Sequence, residues 1–409
     1  MRILKLIIVG IWLITFMGCC KKPAKLAPQP PVVEKLEILW RTPIVPDVDH
    51  NYSISMNPVL HEGVVVFNSE FTIDGHQAPV LFLDTSDGRI QNYWSDYIDG
   101  NALYNGETSA SEDDFLFLST HNSIDCVNLR TAKTQWRGKF GNNGPHIYTS
   151  EGYIYRAIEF DGTAPTKAAI LRSPVQSQNW DTVYSFTKTD KYNPSFDSFG
   201  FGNLENGDKV IVWKNRNWGA AGSLTDIFAY NLSADTLLWR NRALDINSGV
   251  IPLQINNGVV YGLVRHRAFA IDLQAGTLLW DKNLNQMAKP SLPLEVVDGD
   301  LHIEQNRILV KDQSDELIAI NRNNGNLEWV RQNHGSGMNA RFTYFESKLF
   351  FPSDGLRIVD ATNGEPLISE TLSEEIDDIK SKIVIDPNRR VMYFHNGREA
   401  FCVKIPAHI

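Results

Sequence analysis

Asp272-Leu-Gln-Ala-Gly276-Thr-Leu-Leu-Trp280 returns with the same spacing as Asn321-Arg-Asn-Asn-Gly325-Asn-Leu-Glu-Trp329. A third copy, Asn231-Leu-Ser-Ala-Asp235-Thr-Leu-Leu-Trp239, has Asp where the others have Gly, and Asn128-Leu-Arg-Thr-Ala132-Lys-Thr-Gln-Trp136 is weaker. Asp84-Thr-Ser-Asp-Gly88 reaches Trp94 with two extra residues, and Asp360-Ala-Thr-Asn-Gly364 ends at Ile368 in place of Trp. Each copy reads as a β-hairpin. The Asp or Asn side chain accepts backbone N–H bonds at the turn, and Gly four residues on supplies the positive φ of a tight reversal. The strand after the turn ends on Trp, whose flat surface can fill the space between adjacent sheets.

A second pattern marks the other half of each unit. Pro58-Val-Leu-His-Glu-Gly63-Val-Val-Val-Phe, Pro252-Leu-Gln-Ile-Asn-Asn-Gly258-Val-Val-Tyr and Pro293-Leu-Glu-Val-Val-Asp-Gly299-Asp-Leu-His each read as strand, turn and strand. Four short strands per unit of about 40–50 residues is the signature of a propeller blade. The fourth-strand landmarks are Trp40, Trp94, Trp136, Trp180, Trp239, Trp280, Trp329 and Ile368, spaced 39 to 59 residues apart. After Ile368 three strands remain, and Leu36-Glu-Ile-Leu-Trp40 is the fourth that completes them. The expectation is an all-β fold: a β-propeller of eight four-stranded blades over residues 36–409, closed by pairing the N-terminal strand with the C-terminal blade. Seven blades result if Trp180 is not a landmark.

The N-terminus specifies delivery. Arg2 and Lys5 precede an apolar run over residues 6–17, and Gly18 precedes Cys19, the pattern of a secretory signal peptide over residues 1–18. The run is shorter than the roughly 20 apolar residues that span a membrane. Phe16-Met17-Gly18-Cys19 resembles the bacterial lipobox, which makes Cys19 the expected lipidation site. Residues 19–35 contain four prolines, which oppose helix and favour an extended tether. Lys21-Lys22 after the cysteine favours the periplasm-facing side of an outer membrane.

Removing residues 1–18 takes Arg2 and Lys5 with it and moves the formal net charge from −9 to −11. So acidic a body argues against nucleic acid or anionic lipid as a bulk-charge partner. Cys126 and Cys402 occupy the same third-strand position in blades two and eight, too far apart to be bonded.

The copies ending at Trp280 and Trp329 resemble the repeat of the pyrroloquinoline quinone-like propellers. With the lipobox, the tether and one domain, the architecture is similar to BamB-like lipoproteins of outer-membrane assembly. That resemblance implies a non-enzymatic, lipid-anchored scaffold that binds protein partners through its loops, with no cofactor. The same superfamily includes quinone-dependent dehydrogenases, many of which hold the cofactor under adjacent bonded cysteines. Here the adjacent pair is Cys19-Cys20, within the export signal.

Chemistry-bearing motifs are sparse. Asp47-Val-Asp49-His-Asn51 opens like a calcium loop but has Tyr52 where the sharp-turn Gly belongs. The ten histidines show no zinc spacing, and no nucleophile elbow or phosphate loop is present. No catalytic, cofactor-binding or metal residue is therefore assigned. Candidate partner-binding residues lie in two irregular insertions within the longest gap: Tyr192, Phe196 and Phe199, then Arg216 and Trp218. Exposed aromatics and Arg are what binding patches use; the alternative is that these aromatics pack the fourth blade internally. An enzyme or ligand-binding propeller working through its central funnel is the competing functional reading.

Overall fold

The turns form as their side chains dictate. Asp272 Oδ1 accepts the N–H of Ala275 at 2.6 Å, Gly276 N–H donates to the Asp272 carbonyl at 2.9 Å, and Gly276 sits at φ +70°. At Asp84, Asn321 and Asp360 the Gly bond is the same, while the side chain accepts the N–H two residues on instead of three. A computed structural model describes residues 36–44, 56–68, 72–73, 76–77, 79–96, 109–119, 123–140, 147–159, 167–187, 193–219, 222–242, 253–264, 266–288, 300–311, 316–331, 341–353, 355–368, 376, 379–407 and 409.

The hairpins build eight antiparallel blades. Blade 1 comprises Val59–His61, Val64–Asn68, Val80–Asp84 and Ile90–Trp94; blade 2 comprises Ser109–Glu112, Phe115–Ser119, Ser123–Asn128 and Lys133–Lys139. Blade 3 is Ile147–Ser150, Tyr153–Glu159, Lys167–Pro174 and Asp181–Thr187, and blade 4 is Asn193–Asn203, Lys209–Gly219, Gly222–Asn231 and Thr236–Asn241. Blade 5 is Gln254–Asn256, Val259–Val264, Arg267–Asp272 and Leu278–Asn283, followed by a short helix, Leu284–Ala288. Blade 6 is Asp300–Glu304, Arg307–Lys311, Leu317–Asn321 and Leu327–Arg331. Blade 7 has three strands, Thr343–Phe345, Lys348–Ser353 and Gly355–Asp360, with a bridge from Val359 to Pro366 where a fourth would run. Among the described residues no helix is long and apolar enough to cross a membrane.

Blade 8 closes the ring as expected. Val384–Asp386, Val391–His395 and Glu399–Lys404 are completed by Ile38–Pro43 from the other end of the chain, with Trp40 opposite Cys402 and Pro43 opposite Glu399. His395 secures the seam with blade 1. Its Nδ1 accepts the Gly397 N–H at 3.0 Å, and its ring meets Phe67 edge-on at 6.1 Å. Cys126 and Cys402 are free and buried.

The core lies between blades rather than within them. One cluster joins Tyr261, Leu263, Ala270 and Trp280 of blade 5 to Leu301, Ile308, Val310 and Ile320 of blade 6, and the other clusters span adjacent sheets in the same way. Second and third strands are covered on both faces, which is why Val64-Val-Val-Phe67 and Ala268-Phe-Ala-Ile271 read as continuous apolar runs.

Tryptophan fastens a blade to the next at four junctions. Trp40, Trp136, Trp239 and Trp280 donate their indole N–H to the carbonyls of Thr85, Val175, Leu273 and Arg322, each the residue after the third strand of the following blade, at 2.8 to 3.0 Å. Three of these rings, Trp40, Trp239 and Trp280, also cover the turn glycine of that blade. A Cβ on Gly88 or Gly325 would lie 2.6 Å from Trp40 or Trp280, and one on Gly276 would lie 2.5 Å from Trp239.

Two landmarks need correction. Trp180 precedes the fourth strand of blade 3, and the repeat position, opposite Ile170, belongs to Tyr184. In blade 1 that position, opposite Phe82, belongs to Asn92, with Trp94 two residues further on. Following these two substitutes, the next turns carry Ala132 and Asp235 at φ +52° and +56° instead of glycine. Gly88, Gly276, Gly325 and Gly364 thus stand under a Trp of the preceding blade, and the turns after Asn92 and Tyr184 do without glycine; blade 3, which follows Trp136, turns through residues 175–180 with no glycine.

Candidate interaction site on blades 3 and 4

Blade 4 departs furthest from the repeat. Its first three strands run 11, 11 and 10 residues, against 3, 6 and 6 in blade 5. Pairing continues out to Trp218 opposite Ser223 and Gly219 opposite Gly222. The stretches read from sequence as irregular insertions, 192–201 and 214–223, thus fall, where described, in paired strands of one sheet. Five extra residues in the second strand, at about 3.3 Å each, make it roughly 16 Å longer than its counterpart in blade 5.

The residues singled out from sequence separate. Phe196 and Phe199 are each 4% exposed and belong to the core between blades 3 and 4. Phe199 meets Tyr148 at 4.8 Å and Phe196 meets Phe186 at 5.5 Å, so these two pack the blade. Arg216 lies opposite Ser195 and Thr225, and Trp218 opposite Asn193 and Ser223, in the outer part of the extension. The side chains of Arg216 and Trp218, and all of Tyr192, lie outside the described residues. Where the extension leaves the ring, Lys214, Asn215, Thr225 and Asp226 are buried, and Arg240 Nε donates to Asp226 Oδ2 at 3.0 Å.

A second feature occupies the same junction. Leu232 follows the third strand of blade 4, the position whose carbonyl receives a tryptophan indole at four other junctions. Here blade 3 presents Tyr184, which turns inward against Trp213 at 5.3 Å and Tyr230 at 5.7 Å. Beside Leu232 lies a cleft of about 460 Å³, whose walls include Glu151, Tyr153, Tyr155 and Arg172 from blade 3 and Phe201 and Lys209 from blade 4. The Arg172 guanidinium lies over the Tyr153 ring at 5.4 Å. Burial raises the Tyr155 hydroxyl above its ordinary pKa, and the neighbouring Arg172 charge opposes that rise. Tyr155 stacks obliquely on Phe201 at 4.7 Å. Sequence reasoning missed this cleft; its signal was the pair Tyr184 and Asp235, at which both halves of the docking repeat lapse.

Elsewhere the titratable groups form structural networks. His61, Glu62 and Asp114 place ligand atoms within 4.8 Å of one another. Arg130, however, already bonds Glu62 at 2.6 Å and Asp114 at 2.9 Å, so the cluster is an ion-pair network. Along the first strand of blade 6, His302 stacks on Tyr344 at 4.4 Å, while Glu304 accepts the Tyr344 hydroxyl at 2.6 Å. Asp47, Asp49 and Asn51 lie outside the described residues.

Comparisons with known proteins fit this architecture. A family model described as outer membrane protein assembly factor BamB matches residues 225–407. That stretch carries the BamB-like propeller repeat, including the Trp239–Gly276, Trp280–Gly325 and Trp329–Gly364 contacts. No curated protein matches the sequence. Among solved structures, BamB from Moraxella catarrhalis superposes with a TM-score of 0.59 at 11% identity, over 90% of this chain and 100% of that one. Quinohemoprotein alcohol dehydrogenase from Comamonas testosteroni gives 0.64 at 11% identity, over 90% of this chain and 76% of that one. The computationally designed Ika8 protein gives 0.56 at 9% identity, over 87% and 97%. At such identities the likeness is one of fold.

Proposed function

We propose that this chain is a non-enzymatic scaffold, held by a lipid on Cys19 to the periplasmic side of an outer membrane, that binds a protein partner in outer-membrane protein assembly. The observation that carries this reading is the extension of blade 4. A paired sheet that outruns its neighbour in the ring gives a rigid scaffold whose strand positions 216 and 218 hold Arg and Trp, residue types that dominate binding hot spots. The BamB family match over residues 225–407 supports the partner class, and the signal-peptide pattern over 1–18 with the tether over 19–35 supports the compartment.

The test compares affinity capture from outer membranes by the full chain and by Arg216→Glu with Trp218→Ala. Removing the whole segment would destroy two strands of blade 4, so point substitutions are required. Outer-membrane assembly proteins recovered by the parent and lost from the double variant support the reading. Equal recovery, or none by the parent, overturns it. Mass spectrometry of the membrane-extracted protein should show acyl chains on Cys19 that are lost in Cys19→Ala and retained in Cys20→Ala.

A further inference from the structure

The cleft between blades 3 and 4 has an unbalanced charge. Lys209 is ion-paired with Glu151 across its mouth, whereas Arg172 meets no carboxylate among the described residues. Arg172 is nevertheless positioned, its guanidinium lying over Tyr153 and beside the Tyr155 hydroxyl. Stacking on Tyr153 uses the guanidinium face and the Tyr155 hydroxyl takes one N–H, so the other N–H groups can meet a carboxylate. Tyr153 is 37% exposed, Phe201 is partly buried, and both line the same cleft, so apolar surface lies beside the cation. Its volume falls within the range of small-ligand sites.

We propose that this cleft binds a carboxylate-bearing ligand with an aromatic or aliphatic body, the carboxylate on Arg172 and the body against Tyr153, Tyr155 and Phe201. One unpaired cation matches one negative charge. A phosphate dianion would bring a second charge toward Glu151 in a chain whose formal net charge is −9. The carboxylate can come from the C-terminus of a peptide or from a free organic acid. The site is independent of the blade 4 extension, so failure of the capture experiment leaves it standing.

Calorimetric titration of the full chain with three probes tests it: the peptide Ala-Ser-Ala-Leu as free acid, the same peptide as C-terminal amide, and benzoate. The free acid should bind at least roughly tenfold tighter than the amide. Arg172→Met should abolish that preference, and inorganic phosphate should not compete. Ser233→Trp, which fills the cleft beside Leu232 without altering Arg172 and gives up the bond that the Ser233 hydroxyl accepts from the Lys209 N–H, should block binding while circular dichroism shows the parent's fold. Benzoate binding as tightly as the peptide acid assigns the site to free acids, and a peptide preference assigns it to chain termini; either upholds the carboxylate site. Equal binding of acid and amide, unchanged binding by Arg172→Met, or no heat from any probe at millimolar concentration overturns it.

Discussion

The indole N–H of Trp239 donates to the carbonyl of Leu273 at 2.8 Å, so the last strand of blade 4 is bonded to the turn of blade 5. The same ring covers Gly276, three residues beyond Leu273, and one side chain thereby restricts two positions of the next blade. The repeat Asp-x-x-x-Gly-x-x-x-Trp is therefore not a contact within itself. Its Gly answers to the Trp one blade earlier.

Gly276→Ala tests that relation. The substitution meets both a left-handed φ of +70° and the Trp239 ring, and should cost about 2–4 kcal/mol in urea denaturation. Ala132→Gly, at the turn that follows Asn92, should fall within about 1 kcal/mol of the parent. A cost near 1 kcal/mol for Gly276→Ala would mean that φ alone selects glycine and the neighbouring ring does not.

Ring closure should weaken in acid. Burial pushes His395 down to about 4 from its ordinary 6.5, only partly opposed by a backbone bond to Met56. Above pH 6.5 the ring is neutral whether folded or unfolded, and its contribution to stability is complete. Between 6.5 and 4 the unfolded chain takes up a proton that the folded chain refuses, so stability falls, by up to roughly 3 kcal/mol. His302, also lowered by burial, adds a change of the same sign. Urea midpoints at pH 7 and 4.5 should show the loss, and His395→Gln should flatten it. An unchanged slope in that variant would remove His395 as the cause.

The hairpins at 272–280 and 321–329 were legible because turn, Gly and Trp all lie within nine residues. Trp94 and Trp180 misled because the docking position is defined by the residue across the sheet, Phe82 facing Asn92 and Ile170 facing Tyr184. Linear spacing does not contain that register. Phe196 and Phe199 stand three apart, which in a regular strand puts them on opposite faces. A register shift between Asp197 and Phe199, with Ser198 at φ +49°, lets both enter one core. The cleft draws on segments of two blades, from Ser150 to Ser233, and no local motif announces it.

Cys126 and Cys402 should remain thiols even under oxidising conditions. Each lies opposite a docking tryptophan, Trp136 and Trp40, in blades separated around the ring. Burial pushes their pKa values up to about 12 and about 11, so little thiolate forms near neutrality. Peptide mass spectrometry after iodoacetamide should find both unmodified in the native protein and both alkylated after denaturation. A bridge between them, or rapid native alkylation, would contradict the blade assignment.

The lapse of docking between blades 3 and 4 should be repairable, with a consequence for the cleft. Tyr184→Trp alone brings an indole against Asp235, whose Oδ1 accepts the Tyr230 hydroxyl at 2.8 Å, and Asp235→Gly alone removes that bond for no new contact. Each single change should destabilise. Together they restore the pair found at Trp239 and Gly276, so a double-mutant cycle should give a favourable coupling of about 1–3 kcal/mol. The restored indole would reach for the Leu232 carbonyl, at the cleft wall, and should narrow the space available beside Arg172. Additive effects in the cycle would mean that Tyr184, though it holds the position, directs its ring along a path that tryptophan cannot follow.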